Sequence, residues 1–427
     1  MQKITFATNT SPNTLEYTKL LLKSLKENLV NKEHEILIFI DKDNDGTYEY
    51  LKSIQKDFFD LKIVTHKLKI PIGYQLNSNL IVDIAKYDIV SYIQSDMIIS
   101  KNYDIEILSE LEENTILSST RIEPPLHGES NLTFTKNLGL HPEDFKWQEF
   151  LLYSETVKSD RTEKYFFAPY TFHKKTWQSI GGYDSLFRRA REDSDFVQRC
   201  VHAGIKLKQT FKANVYHFTC VSSRGKNWFD ENNQEAKNRV ELQKIADGIE
   251  LRRFIKKWGN FNHGETKLIK LDIDLVIKDE RKINPMFAMQ LEPFFSRVWL
   301  KTEEELSTVL KAVKDDQDPA NKLLGASNED WEIEKRFFNT TDFNEIYKLG
   351  EPKDYNIKIE IDFKGVDPKQ DIFLQNLTNI SNIIESSEPG IYELGCAKIH
   401  VKNIVNLSDD QIIVKNPAFD YSLLNIE

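Results

Sequence analysis

Cysteine is nearly absent from this chain: Cys200, Cys220 and Cys396 are the only three in 427 residues. An odd number spread so widely builds neither a disulfide framework nor a paired-cysteine metal site, and points to a reducing compartment. Long apolar runs are missing as well. None approaches the about 20 residues a bilayer requires, and the opening MQKITFATNTSPN enters a strand-like run without a basic region, apolar stretch or cleavage site. The expectation is a cytoplasmic protein with no transmembrane segment. Basic charge is in deficit, since 57 Lys and Arg against 67 Asp and Glu give a net charge of −10. That argues against nucleic acid as the main partner, because phosphate backbones require a basic field. Low-complexity segments are also missing. A content of 40% hydrophobic and 29% charged residues describes a folded chain, and its length suggests two or three domains at about 150 residues each.

What is present first is alternation. KITFAT, TLEYTKLLLKSLKENL, HEILIFID, TYEYLKSIQKDF and LKIVTHK switch between short β-rich runs and amphipathic segments, the pattern of parallel strands joined by crossover helices. GYQLNSNLIVDIAKYDIVSYIQSD reads as a helix and then a buried strand ending on Gln94, Ser95 and Asp96. Ligands gather at such strand ends in open α/β sheets. From about Glu110 to Tyr165 the periodicity fades, and Pro124, Pro125, Gly128 and Pro142 suggest long loops lining a cleft. It resumes in FFAPYTFHKKTWQSIGGYD and the helical REDSDFVQRCVHAG, whose expected buried residues are Phe196, Val197, Cys200 and Val201, with Gln198 exposed. A further strand ends at Tyr216 and His217. After the polar KKWGNFNHGE the style changes, so the chain divides into domains 1–262 and 263–427. LIKLDIDLVI and NIKIEIDF alternate as strands of a sheet with one wet face. TEEELSTVLKAV places Thr302 and Glu305 in capping-box spacing. The second domain is expected to be a smaller α+β unit, whose role lies between acceptor docking and homo-oligomer formation.

Three acidic clusters stand out in the first domain: IDKDND at 40–45, QSDM at 94–97 and REDSD at 191–195. The first two follow apolar strand-like runs, so their carboxylates would share one sheet edge. The third opens a helix, where backbone N–H groups favour an ionised carboxylate, the form a general base requires.

In their order and spacing these segments resemble the inverting family two glycosyltransferases over residues 1 to about 262. The resemblance rests on IFIDKDNDGTYEYL, GYQLNSN, YIQSDM in the place of the DXD motif, IGGYDSLFRRAREDSDFVQRCVHAG, VYHFTCVSSRG and KKWG. It implies the GT-A fold, a nucleotide-binding mixed α/β sheet flanked by helices, and transfer of a sugar from a nucleotide diphosphate sugar, UDP expected, to a hydroxyl of a glycan or other acceptor. It implies a divalent cation, manganese or magnesium, on Asp96 and His217. Asp193 is the implied base, with Glu192 as alternate. The nucleotide-sugar site would comprise Thr8, Asp41, Gly73, Asn79, Gln94, Ser95 and Arg224, the last in a loop, SSRGKNW, that could close on the diphosphate. Asp195 reads as a cap or structural acid. Two positions depart from the family pattern: Gln94 replaces the first acid of the DXD-like motif, and Ser78 stands where the family often has arginine. Gln94 keeps open a second reading, a decayed transferase domain acting as a nucleotide-binding or scaffold protein. A nucleotidyltransferase is disfavoured, because no glycine-rich, lysine-bearing triphosphate loop occurs near the N-terminus.

Overall fold

The computed structural model describes every residue except 1, 11, 69–71, 128, 129, 165, 166, 188, 189, 220, 222–229, 231, 260–271, 279–283, 325–342, 368, 406–408 and 417. Contacts gather the chain into two compact units that interleave in sequence. Met1–Arg188, Phe196–Gln243 and Ile413–Glu427 form the first, Arg189–Asp195 and Lys244–Ile412 the second.

In the first unit the opening alternation becomes β1 (Ile4–Thr10), α1 (Leu15–Asn28), β2 (Glu35–Ile40), α2 (Thr47–Ile54), β3 (Leu61–His66), α3 (Tyr74–Ile84) and β4 (Ile89–Tyr92). β1 pairs in parallel with both β2 and β4, and β2 with β3. All residues of β1, β2 and β4 are buried, which accounts for the near-continuous apolar run of β2. The chain continues through β5 (Met97–Ile99), α4 (Tyr103–Glu110), β6 (Thr115–Glu123), β7 (Phe134–Thr135), α5 (Trp147–Thr156), β8 (Thr162–Glu163), β9 (Tyr170–His173), α6 (Lys174–Gln178), α7 (Glu192–His202) and β10 (Lys206–His217). The sheet runs β3, β2, β1, β4, β9, β6, β10, β5, with the C-terminal strand Leu424–Ile426 outside β3. It is a mixed sheet flanked by helices, the architecture expected.

Two expectations are corrected here. The stretch after Glu110 is not simply loop: β6 lies inside the sheet, parallel to β10 and antiparallel to β9. Its apolar signal is weak because Thr115, Ser118, Ser119 and Thr120 are buried. Hydrogen bonds compensate part of that burial, with Thr120 donating to the Thr210 carbonyl at 2.9 Å and Ser119 sharing a 3.0 Å bond with the Tyr103 hydroxyl. Gln198 of α7, expected on the exposed face, is fully buried, as is Arg199. Arg199 is held there by donating to the Ile180 carbonyl at 2.7 Å.

The second unit contains a six-stranded sheet of β11 (Ile273–Ile277), β12 (Arg297–Leu300), β13 (Tyr347–Leu349), β14 (Ile357–Ile361), β15 (Gly390–Leu394) and β16 (Ala397–Val401), in the order β13, β12, β11, β14, β16, β15. The two alternating segments found in the sequence are its parallel central pair, β11 and β14. Ile273, Leu275, Ile277, Ile357, Ile359 and Ile361 face its core. The capping box opens the helix Glu303–Leu324: Glu305 N–H donates to Thr302 Oγ1 at 3.2 Å, and Thr302 N–H to Glu305 Oε2 at 3.0 Å. Among the described residues no helix is long and apolar enough to cross a membrane. The C-terminal strand, β17 (Leu424–Ile426), belongs to the first unit.

Candidate active site

Strand register assembles the centre of the site. β10 runs antiparallel to β5 with His217 opposite Met97, and parallel to β6 with Tyr216 opposite Ile122. Asp96 precedes Met97 and Glu123 follows Ile122, so both acids fall beside His217. Alternation along β10 turns Tyr216 into an apolar cluster with Tyr17, Ile98, Phe150 and Phe218, and His217 to the other face. The Phe218 N–H donates to the Asp96 carbonyl at 3.1 Å and pins the turn.

His217 Nδ1 lies 2.8 Å from Glu123 Oε1, and His217 Nε2 lies 3.8 Å from Asp96 Oδ2. A carboxylate only accepts, so the Glu123 contact assigns the proton to Nδ1 and leaves the lone pair of the neutral ring on Nε2, toward Asp96. Asp96 and His217 are both buried, at 3% and 6% exposure. An oxygen and an imidazole nitrogen facing each other across a gap too wide for a hydrogen bond form a donor pair that a divalent cation fits. The pair alone does not complete a coordination shell: among the described residues no group of three or more His, Cys, Asp or Glu side chains is arranged to hold a metal ion.

Glu123, absent from the sequence-derived site, is what orients the histidine. Burial alone would raise its carboxyl, but the His217 hydrogen bond and the charges of His217, Arg121 and His127 outweigh burial and hold it at about 2. A carboxyl lowered in the folded state stabilises the fold above its ordinary value of 4.5, and that contribution disappears as pH falls through the folded value. Glu123→Gln should therefore lower the melting temperature by a few degrees at pH 7, and the difference should shrink between about pH 4.5 and 2. A difference independent of pH would assign the loss to packing instead.

A second group of expected residues meets at the start of α3. Asp41, just beyond β2, accepts from the N–H of Ile72 at 2.8 Å and of Gly73 at 3.0 Å, and lies 3.0 Å from His66 Nε2. Thr8 is buried inside β1 rather than at its end. It is the next residue, Asn9, that reaches α3, donating to Ser78 Oγ at 2.9 Å and to the Tyr92 hydroxyl at 3.0 Å. Ser78 is fully buried in that network, so no phosphate contact replaces the arginine the family often has there. Two buried acceptors in this group, Asn9 Oδ1 and His66 Nδ1, have no hydrogen-bond partner among the described residues. Asn79 is committed to the turn after α6: its Oδ1 accepts from Trp177 Nε1 at 3.1 Å and the Tyr183 N–H at 2.9 Å, and its Nδ2 donates to the Tyr183 carbonyl at 2.9 Å. Gln94 and Ser95 lie in the turn leading to β5, where the Gln94 carbonyl accepts from the Met97 N–H at 3.1 Å. Arg224 and the rest of SSRGKNW lie outside the described residues.

Glu192 and Asp193 open α7 and count with the second unit. Burial, then the charge of Asp193 and, farther off, of Glu250 and Asp247, push the Glu192 carboxyl well above the ordinary carboxylate range. Its Oε2 is buried without a hydrogen-bond partner among the described residues. Asp193 Oδ1 accepts from the Ser194 N–H at 2.6 Å. Asp195 is structural, as expected: fully buried, it accepts from Trp258 Nε1 at 2.9 Å and pairs with Lys257 at 2.7 Å. The KKWG segment thus closes on the acidic motif.

Strand-end acids, a histidine on the neighbouring strand and a loop-to-helix start bonded to an acid thus meet along the sheet. Residues 10–171 match the family model Glycosyl transferase family 2. No curated protein sequence matches the chain. Similar solved structures include TarS from S. aureus, at 15% identity over 61% of this chain and 48% of that one, with a TM-score of 0.38. The mannosyltransferase PcManGT from Pyrobaculum calidifontis, in complex with GDP-Man and Mn2+, gives 13% identity over 59% of this chain and 64% of that one, with a TM-score of 0.39. The chain spans about half the length of the TarS structure it matches.

Proposed function

We propose that the chain is a metal-dependent, inverting glycosyltransferase that moves a sugar from a nucleotide diphosphate sugar, with UDP as the nucleotide, to an acceptor hydroxyl. The observation that carries this is the Asp96–His217–Glu123 arrangement in a chain whose residues 10–171 match the family two model. Asp96 and His217 would hold a manganese or magnesium ion, which when bound neutralises negative charge on the departing diphosphate. Glu123 fixes the tautomer that makes His217 a ligand, as carboxylates commonly do beside metal-bound histidines. Asp41, Gly73 and the residues around them bind the nucleoside, and the orphaned acceptors Asn9 Oδ1 and His66 Nδ1 are groups that its N–H or O–H donors would satisfy. Thr8, Gln94, Ser95 and Arg224 complete the donor set in this reading, and Asn79 contributes by positioning.

Asp193 takes the acceptor proton. Glu192 is the weaker candidate, because a carboxyl held far above its ordinary value keeps its proton where a base must have lost it. One direct displacement, without a covalent enzyme intermediate, inverts the anomeric centre. Incubating the full-length protein with a panel of nucleotide sugars and manganese tests the proposal. Sugar release from a UDP-sugar supports it. Nucleotide binding without release or transfer on any donor would favour the decayed-domain reading that Gln94 keeps open.

A further inference from the structure

The last fifteen residues, Ile413–Glu427, return to the first unit after the whole second unit has intervened in sequence. Their far end is fastened at the sheet edge. β17 pairs antiparallel with β3, Leu424 opposite His66, and Ile63 and Glu427 exchange backbone hydrogen bonds at 2.9 and 3.0 Å. The near end grips the turn after α6. There the Val414 N–H donates to the Ile180 carbonyl at 3.2 Å. Asn416 Nδ2 donates to the carbonyls of Gly181 at 2.8 Å and Tyr183 at 2.9 Å, and Asn416 Oδ1 accepts from the Ser185 N–H at 3.0 Å. One side chain thereby satisfies three backbone groups of a single short turn.

The double glycine in this turn makes that grip feasible. Gly181 and Gly182 have φ of +76° and +65°, a region that disfavours residues with a Cβ. A Cβ on Gly181 would run into the Val414 carbonyl, and one on Gly182 into the side chains of Asn79 and Trp177. Each glycine admits a different clamp, one from the tail and one from α3. The clamps converge on one atom, because the Tyr183 carbonyl accepts from both Asn416 and Asn79, each at 2.9 Å. From there the contact continues to the nucleoside group: the Tyr183 ring lies 5.8 Å from that of Tyr74, and Tyr74 follows Gly73, whose N–H is bonded to Asp41.

We propose that Asn416 is a positioning residue of the donor site, by which the C-terminal tail holds the Gly181–Ser185 turn against α3 and so fixes Gly73 on Asp41. This rests on the nucleotide-sugar reading above. The side chain must be an amide, since a carboxylate would set negative charge against two carbonyl oxygens and could donate to neither.

Contact in space is not coupling, so the experiment reads both ends of the path in the full-length protein. The variants are Asn416→Ala, Asn416→Asp and, as a control for general loosening of the tail, Tyr421→Phe, which removes a 2.8 Å bond to Asp83 away from the turn. Calorimetry measures affinity for UDP in the presence of manganese. Amide hydrogen exchange, without ligand, follows residues 72–79 and 180–185. Asn416→Ala should weaken UDP about 5–30-fold, within the usual range of coupling between sites, and speed exchange in both segments. Asn416→Asp should do at least as much, and Tyr421→Phe neither. Exchange that changes only in the tail and turn, or to the same extent in Asn416→Ala and Tyr421→Phe, would overturn the proposal. If the unaltered protein binds no UDP while exchange at residues 72–79 still responds to Asn416→Ala alone, the positioning stands and the nucleotide reading fails.

Discussion

Asp96→Ala is expected to abolish manganese-dependent UDP binding and to reduce sugar transfer by about 10²–10³-fold or more, the loss seen when one group that stabilises developing charge is removed. The fold should tolerate the change. Asp96 is buried, and His217 Nε2 stands 3.8 Å from its carboxylate, beyond hydrogen-bond reach. Removing a poorly compensated buried carboxylate costs little and can be neutral or favourable. Calorimetry with UDP and manganese, beside a melting curve, separates the two effects. Unchanged affinity would sink the assignment of Asp96 as a ligand. His217→Ala should behave differently, losing binding and stability together, because Glu123 would be left buried without the partner that holds its carboxyl low. The site has a single carboxylate in its DXD-like motif, so Gln94→Asp should tighten manganese binding. No gain would show that the amide serves another contact.

Half of this centre is legible in the sequence. Asp96 stands out because it follows an apolar strand and a polar break, and His217 because the VYH segment carries the resemblance to the family. Glu123 ends a strand too, but its strand is TILSSTRIE, where four buried hydroxyl residues stand in place of aliphatic ones. Hydropathy patterns cannot recognise a strand whose interior is satisfied by hydrogen bonds, and the acid at its end then looks like loop polarity. Gln198 and Arg199 escape the same reading for the same reason, because the polar side of α7 is buried against partners such as the Ile180 carbonyl. The capping box at Thr302 is legible because caps are local: two side chains and two N–H groups within four residues decide the outcome.

The double-glycine segment shows a different limit. Its two glycines are visible as a motif, but the reason for each lies at 79 and 414, positions that only the folded chain brings to the turn. Nothing in the tail's own composition announces that it completes the first unit. A cut at 262 would remove the strand that pairs with β3 and the amide that holds the Gly181 and Tyr183 carbonyls. This is why the binding experiments above use the entire chain.

Asp193→Asn should lower turnover by about 10²–10⁴-fold, the usual share of general base catalysis, with UDP affinity nearly unchanged. Asparagine keeps the size of the side chain and can still accept from the Ser194 N–H, but it cannot take a proton. Glu192→Gln should cost less turnover, and its signature should be in stability. The Glu192 carboxyl is raised in the fold by burial and then by Asp193, so the unfolded chain releases that proton first as pH rises. The stability it contributes is complete below the ordinary glutamate range and is lost as pH climbs toward the raised value. Glu192→Gln should therefore flatten the fall of melting temperature on going from acid to neutral pH, whereas Asp193→Asn, by removing the neighbouring charge, should flatten it in part. Near-normal turnover in Asp193→Asn together with a large loss in Glu192→Gln would exchange the two roles. If neither substitution slowed transfer by an active protein, the pair would be structural and the base would lie elsewhere on the chain.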